Sequence, residues 1–289
     1  MLEIIGRSAR RKIIAVIVLS LLAFAPAHAA SSAPKRIISL SPSATETLFA
    51  IGAGSQVVAV DDLSNFPSSA PITKLSAFSP NVEALLNYKP DLIILNADAT
   101  KALEVKSALE KLKIKVFLEK APNDLSEVYA EVAALGRATG NATGARTVIA
   151  KMKSKINGAI KSGRKLKKVT FFHELDETLY SATSDTFIGK VYKDFNLSNI
   201  ADRAASADSA GYPQLQSEYL IKANPKIIFL SDAQYGESIA TLEKRPGWSG
   251  ISAVAKRNVI SLPEDIPSRW GPRLADFYQF IANALVKIA

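Results

Sequence analysis

Two glutamates in this chain, Glu83 and Glu218, stand in nearly the same surroundings. Each is followed by a short apolar run and by a proline seven residues on, Pro90 and Pro225. A burst of branched apolar residues comes next, Leu92-Ile93-Ile94-Leu95 in one case and Ile227-Ile228-Phe229-Leu230 in the other. A glutamate early in a helix is favoured by the helix dipole by roughly 0.3–1 kcal/mol, which explains either one alone. A matched pair 135 positions apart points to a duplicated lobe, because solenoid repeats are far shorter. Such a pair could offer two negative points to two basic patches of a symmetric partner. Two lobes also leave a cleft between them, and ligands collect in clefts.

Other residues could line that cleft. Ser41, Ser43, Ala44 and Thr45 follow an apolar run and open a helix, where free N–H groups could hold an anion or a carboxamide. Simple helix capping, with Ser43 and Glu46 as a capping box, explains the same residues. Phe78 and Tyr212 precede the two glutamate helices in corresponding places, and matched aromatics could grip a flat or bulky ligand. Arg269 and Trp270, before the terminal helix, could add a fork of donors and an aromatic wall. The one histidine beyond the N-terminal segment, His173, follows a strand and could line the cleft or cap the turn. An exported hydrolase would have to use it, but no G-x-S-x-G elbow, Walker motif, G-x-G-x-x-G or H-E-x-x-H accompanies it. A histidine-rich metal site would need more imidazoles than the chain supplies.

The elements that carry these residues read as an α/β chain. Short apolar runs at residues 36–40, 57–60, 92–95 and 115–118 alternate with helical stretches, as in a mostly parallel sheet. From Asp124 to Ser162 no strand-like run occurs. Asn141 can cap a helix with Ala145, Val148, Ile149, Met152, Ile156 and Ile160 on one face. At 1.5 Å per residue it would span roughly 30 Å, enough to bridge two lobes. The strand–helix rhythm resumes at residue 168. The expected architecture is two Rossmann-like α/β lobes joined by a single long helix, with the ligand cleft between them. The expected divisions are 1–29, 30–140, 141–163 (the connecting helix) and 164–289.

Residues 1–29 have the form of a signal peptide. Arg7, Arg10, Arg11 and Lys12 precede an apolar stretch from Ile13 to Phe24, then small residues around Ala29. Export to a periplasmic or extracellular location is expected, without a lipid anchor, since the chain has no cysteine. The net charge of +9 and the lysines between residues 151 and 168 read as solvated surface, and nothing in the pattern indicates nucleic acid. An apolar content of 48% with 22% charge excludes a disordered chain.

Taken together, the chain resembles the substrate-binding proteins of ABC importers for vitamin B12, iron siderophores and haem. The marks are residues 36–46 (RIISLSPSATE), Asn81-Val82-Glu83 through Pro90-Asp91-Leu92-Ile93, Tyr212-Pro213-Gln214-Leu215 with Glu218, and residues 268–273 (SRWGPR). The resemblance implies a non-enzymatic, monomeric carrier with no cofactor of its own. Its cargo would be bulky, such as cobalamin, a ferric siderophore or haem. Its partner would be an ABC permease dimer with its ATPase subunits. It implies that Glu83 and Glu218 dock on the permease, that Phe78, Tyr212 and Arg269 face the cleft, and that His173 and Tyr180 lie in the second-lobe cleft loop.

Overall fold

A computed structural model of the chain describes residues 33–164, 169–263 and 265–288. The signal-like segment 1–29 and the lysines at 165–168 lie outside them.

The first half forms a five-stranded parallel sheet from β1 (Ile37–Leu40), β2 (Val57–Asp61), β3 (Ile72–Leu75), β4 (Leu92–Asn96) and β5 (Lys115–Glu119), in the order β3-β2-β1-β4-β5. Around it lie α1 (Pro42–Ala50), α2 (Val82–Leu86), α3 (Ala102–Lys111) and α4 (Leu125–Ala138). The connecting helix α5 runs from Ala142 to Gly163. The second half forms a four-stranded parallel sheet from β6 (Thr170–Glu174), β7 (Ser198–Asn199), β8 (Ile227–Leu230) and β9 (Val259–Ser261), in the order β7-β6-β8-β9. Its helices are α6 (Phe187–Asp194), α7 (Ser217–Ala223), α8 (Ile239–Leu242), α9 (Ser252–Ala255) and the terminal α10 (Leu274–Ile288).

Strand side chains alternate between two cores, as the pleat requires. Ile37, Leu92 and Ile94 of the first sheet, and Phe171, Ile227 and Phe229 of the second, share one continuous core with Met152 and Ile156 of α5 and Tyr278 and Ile281 of α10. The opposite faces have cores of their own, Ile38, Leu40 and Ile93 on one sheet, Phe172, Ile228 and Leu230 on the other. The connecting helix is thus built into the packing of both sheets. Gly144 of α5 lets it lie against the end of α1, since a Cβ there would meet the Ile51 carbonyl oxygen at 1.9 Å. The exposed face of α5 carries Lys151, Lys153, Lys155 and Lys161, the solvated lysine face expected.

Three local readings change. Helix α1 begins at Pro42, whose fixed φ suits a first helical position. Its N-cap is therefore Ser41 rather than Ser43, and Glu46 is not part of a capping box. Strand β6 extends to Glu174, so His173 is in the sheet rather than in the following loop. Strands β3 and β7, at the sheet edges, leave no mark in the sequence. Each is short, and β3 is largely uncovered, so no apolar run announces it.

Candidate ligand cleft

In open parallel sheets the carboxyl ends of the strands face the ligand. Two adjoining cavities lie there, one of about 390 Å³ against the first lobe and one of about 770 Å³ against the second. Ala121 and Trp270 line both.

The smaller cavity brings together Ser41, Ser43, Phe78, Glu119, Arg269 and Trp270. Phe78 is 57% exposed, so its ring is available to a ligand rather than packed under its loop. The segment from Asp265 to Arg273 leaves the second sheet and straps itself to the first lobe. Asn65 donates to Asp265 at 2.8 Å, and Arg269 Nη2 donates to the Leu63 carbonyl at 3.2 Å. The Trp270 amide donates to Ser43 Oγ at 3.2 Å. Arg273 forks onto the buried carboxylate of Glu46 at 2.9 and 2.5 Å, and stacks over Phe66. Arg269 lies near the same carboxylate, 3.6 Å away, and 3.2 Å from Asp265. This clamp gives Glu46 its role. Its partner stands 227 residues away, too far for any local pattern to announce it.

The larger cavity is lined from the second lobe by Thr183, Asp185, Phe187, Asp202 and Tyr212. Tyr212 is 46% exposed. Trp270 meets Phe187 edge-on at 5.7 Å, so its ring closes against one lobe while its amide is held by the other.

Several expected site residues stand elsewhere. Ala44 and Thr45 are fully buried, and the Thr45 hydroxyl is bonded to Ser39 and Ser64. The amides of Ala44 and Thr45 are taken by Ser41 Oγ and the Ser41 carbonyl, so they are not free to hold an anion. Tyr180 is 41% exposed but is not among the residues lining either cavity, and it bridges to Gln214 instead. His173 is buried, with Nδ1 3.0 Å from the Tyr192 hydroxyl. Burial drives its pKa down to about 4, so it is neutral at physiological pH. A walled-in imidazole can serve neither as an accessible general base nor as an axial ligand, and the hydrolase reading has no support. Among the described residues no group of three or more His, Cys, Asp or Glu is placed to hold a metal ion.

Glu83 and Glu218 are both exposed, and each is the second residue of its helix, α2 or α7. Each helix leads into the strand beside the first strand of its lobe, β4 pairing with β1 and β8 with β6. The duplication is thus one of position as well as of sequence. The family model described as "Periplasmic binding protein" matches residues 37–266. The chain belongs to this family. An uncharacterised ABC transporter substrate-binding lipoprotein of Bacillus subtilis is 30% identical over 87% of this chain and 80% of its own length. A cobalamin-binding protein of Halobacterium salinarum is 27% identical over 88% and 70%. A solved structure from Staphylococcus epidermidis, described as a possible iron-binding (periplasmic solute-binding) protein, superposes with a TM-score of 0.75 at 27% identity. It covers 87% of this chain and 98% of that one. Periplasmic binding proteins bind rather than transform their ligands.

Sequence reasoning missed Glu119, Glu131 and the Glu174–Arg245 pair. Glu119 ends β5, in register with Asn96 of β4, and is 5% exposed. Burial and its neighbour Glu131 push its pKa up to about 8, while burial alone takes Glu131 to about 7. A carboxylate directly after the apolar run Val116-Phe117-Leu118, at the end of a strand, was the available signal. In the second lobe Arg245 forks onto Glu174 at 2.8 and 2.6 Å, donates to Glu237 at 2.8 Å and stacks on Trp248.

Proposed function

We propose that this chain is the solute-capturing component of an ABC importer, delivering a bulky metal chelate to a permease. The observation that carries this reading is the pair of exposed glutamates at equivalent helix positions in two lobes whose shared cleft offers one exposed aromatic from each side, Phe78 and Tyr212. Aromatic faces hold a large planar or apolar body, while the polar groups between them fix its rim. Cobalamin is the first choice of cargo. It brings its own metal ligands, and the described part of this cleft offers no imidazole. A ferric siderophore or haem is the alternative, haem drawing on the phenol of Tyr212. The family and the relatives' descriptions support the transport role, and the Halobacterium relative supports the ligand class.

The Bacillus relative is a lipoprotein. This chain has no cysteine to carry a lipid. We infer a protein exported by its N-terminal segment that works without that anchor, as a monomer.

Native mass spectrometry of the purified protein against cyanocobalamin, haemin and ferric siderophores tests the reading. One chelate is expected to bind one to one, and Phe78→Ala with Tyr212→Ala to weaken it at least tenfold. Failure of every chelate to bind would overturn the assignment of cargo.

A further inference from the structure

Glu83 and Glu218 stand on short helices that are held in different ways. Helix α2 has a cap of its own, since Asn81 Oδ1 accepts the Ala84 amide at 3.0 Å. Helix α7 has none: its N-cap position is Gln216, whose side chain makes no capping hydrogen bond. Seven residues are too few to hold a helix in water by backbone bonding alone. The first turn of α7, which carries Glu218, therefore depends on support from outside the helix.

That support comes from residues 245–252, along the whole length of α7. The Trp248 indole N–H donates to the hydroxyl oxygen of Ser217, the first residue of the helix, at 2.8 Å. Gly247, at φ +80°, lies against the next turn, where a Cβ would meet Ile221 Cδ1 at 2.8 Å. The Ser252 amide donates at 2.7 Å to Asn224 Oδ1, on the residue that closes the helix. Trp248 is itself fixed. It is 1% exposed and meets Phe172 of β6 edge-on at 6.4 Å. The Arg245 guanidinium covers its ring at 4.5 Å from the centroid, and Arg245 is tied to Glu174 at the end of β6. The start of α7 is thus referenced to the end of a central strand through Ser217, Trp248 and Arg245.

We propose that Trp248 is a positioning residue for permease docking, acting through Ser217 on the helix turn that presents Glu218. This rests on the importer reading and on Glu218 as one of its docking groups. A symmetric partner with two fixed basic patches accepts two acids only at a matching distance. A frayed first turn lowers the fraction of molecules competent to dock, and the apparent affinity falls with that fraction. Trp248 lines neither cavity and is buried, so it reaches the partner through α7 and leaves the cargo untouched. The two lobes then present matching acids by unlike means, a local cap in the first and a tertiary brace in the second.

The test compares wild type with Trp248→Phe, which keeps a ring for Arg245 and removes the N–H. Ser217→Ala removes the acceptor, and Ser217→Thr keeps it. The Leu220 amide closes the first turn on the Gln216 carbonyl. Its hydrogen exchange in the isolated protein is expected to quicken in Trp248→Phe and Ser217→Ala, while exchange in α2 stays as in wild type. Affinity for the cognate permease in nanodiscs is expected to fall roughly three- to tenfold in each, the range for one hydrogen bond. The Trp248→Phe, Ser217→Ala double variant is expected to lose no more than either single, and Ser217→Thr to restore wild-type affinity. In a Glu218→Ala background neither change is expected to weaken docking further, whereas Asn81→Ala, which loosens α2, still does. Cyanocobalamin affinity is expected to match wild type throughout. Wild-type permease affinity in Trp248→Phe and Ser217→Ala, a loss that persists in the Glu218→Ala background, or a parallel loss of cyanocobalamin binding overturns the proposal and leaves the importer reading intact. Failure of the wild-type protein to bind the permease overturns both.

Discussion

The two lobes solve the same problem at their strand ends in different ways. In the first, β1 runs into α1 through Ser41 alone, and the space beyond is a small cavity lined by Ser41, Phe78 and Glu119 among others. In the second, β6 ends on Glu174, which stands opposite Leu230 where Leu40 stands opposite Leu95 in the first lobe. A carboxylate thus replaces a leucine at the matching register. It is neutralised by Arg245, which also takes Glu237, and α6 begins only at Phe187 after a long loop. One strand end is left open for a guest, and the other is plugged by an ion pair, with the cavity moved outward onto loops. Duplication therefore preserves the frame and the external glutamates, while the interior chemistry diverges.

The largest expected effect sharpens this contrast through stability. Arg273→Ala leaves Glu46 buried without its fork and frees the strap, and Arg245→Ala does the same to Glu174. Removing one partner of a buried ion pair costs about 3–5 kcal/mol. Each variant is expected to lose that much in urea unfolding. Only Arg273→Ala is also expected to weaken cyanocobalamin binding, since only that pair holds the strap lining the cleft. Equal effects on binding would break the distinction between the lobes.

Gly144→Ala comes next. The added methyl group would meet the Ile51 carbonyl at 1.9 Å, a backbone atom that cannot swing away. A loss of roughly 1–3 kcal/mol is expected in the same unfolding measurement, from overpacking at the junction of α5 with the first lobe.

The pH dependence carries contributions of both signs: burial raises the pKa of acids in either lobe, Glu119 in the first and Glu174 in the second, and lowers that of His173. Glu119 has a folded pKa of about 8, above its ordinary value of 4.5, so the folded state holds a proton that the unfolded state releases. Its contribution therefore falls as pH rises from about 4.5 to about 8, by a few kcal/mol at most. His173, in the second lobe, is held at about 4 against an ordinary 6.5, so its burial weakens stability as pH falls from about 6.5 to about 4. Glu119→Gln is expected to raise the melting temperature at pH 8 and leave it little changed at pH 5. An equal gain at both would show that the effect is not ionisation.

The smallest expected effect is on α5 itself. A methyl group added at Gly158 would have nothing within 4 Å, so Gly158→Ala is expected to stabilise by about 1 kcal/mol. That gain, set against the loss at Gly144, would show the connecting helix to be tightly fitted at Gly144, against the first lobe's backbone, and open at Gly158.

Much of the frame was legible because it is written locally. Buried parallel strands are short apolar runs, and the long helix carries its apolar stripe in residues three and four apart. The glutamate–proline spacing marked the duplication without any knowledge of the fold. The interior of the cleft was less legible because it is made by residues distant in the chain. Arg273 and Glu46, or Arg245 and Glu174, meet only after folding, and neither pair leaves a local pattern. His173 misled because one residue's difference in where β6 ends decides between loop and core. Ala44 and Thr45 misled because the helix starts at Pro42, so that Ser41 takes both of their amides.

The proposed division of labour gives the two glutamates to a partner and leaves the cargo to the cleft. Glu83→Ala, Glu218→Ala and the double variant should be compared for cyanocobalamin affinity and for uptake by cells or vesicles carrying the cognate permease. Affinity unchanged in all three, uptake reduced in each single variant and abolished in the double, is the predicted result. Uptake left intact in the double variant, or affinity lost together with it, would contradict the account.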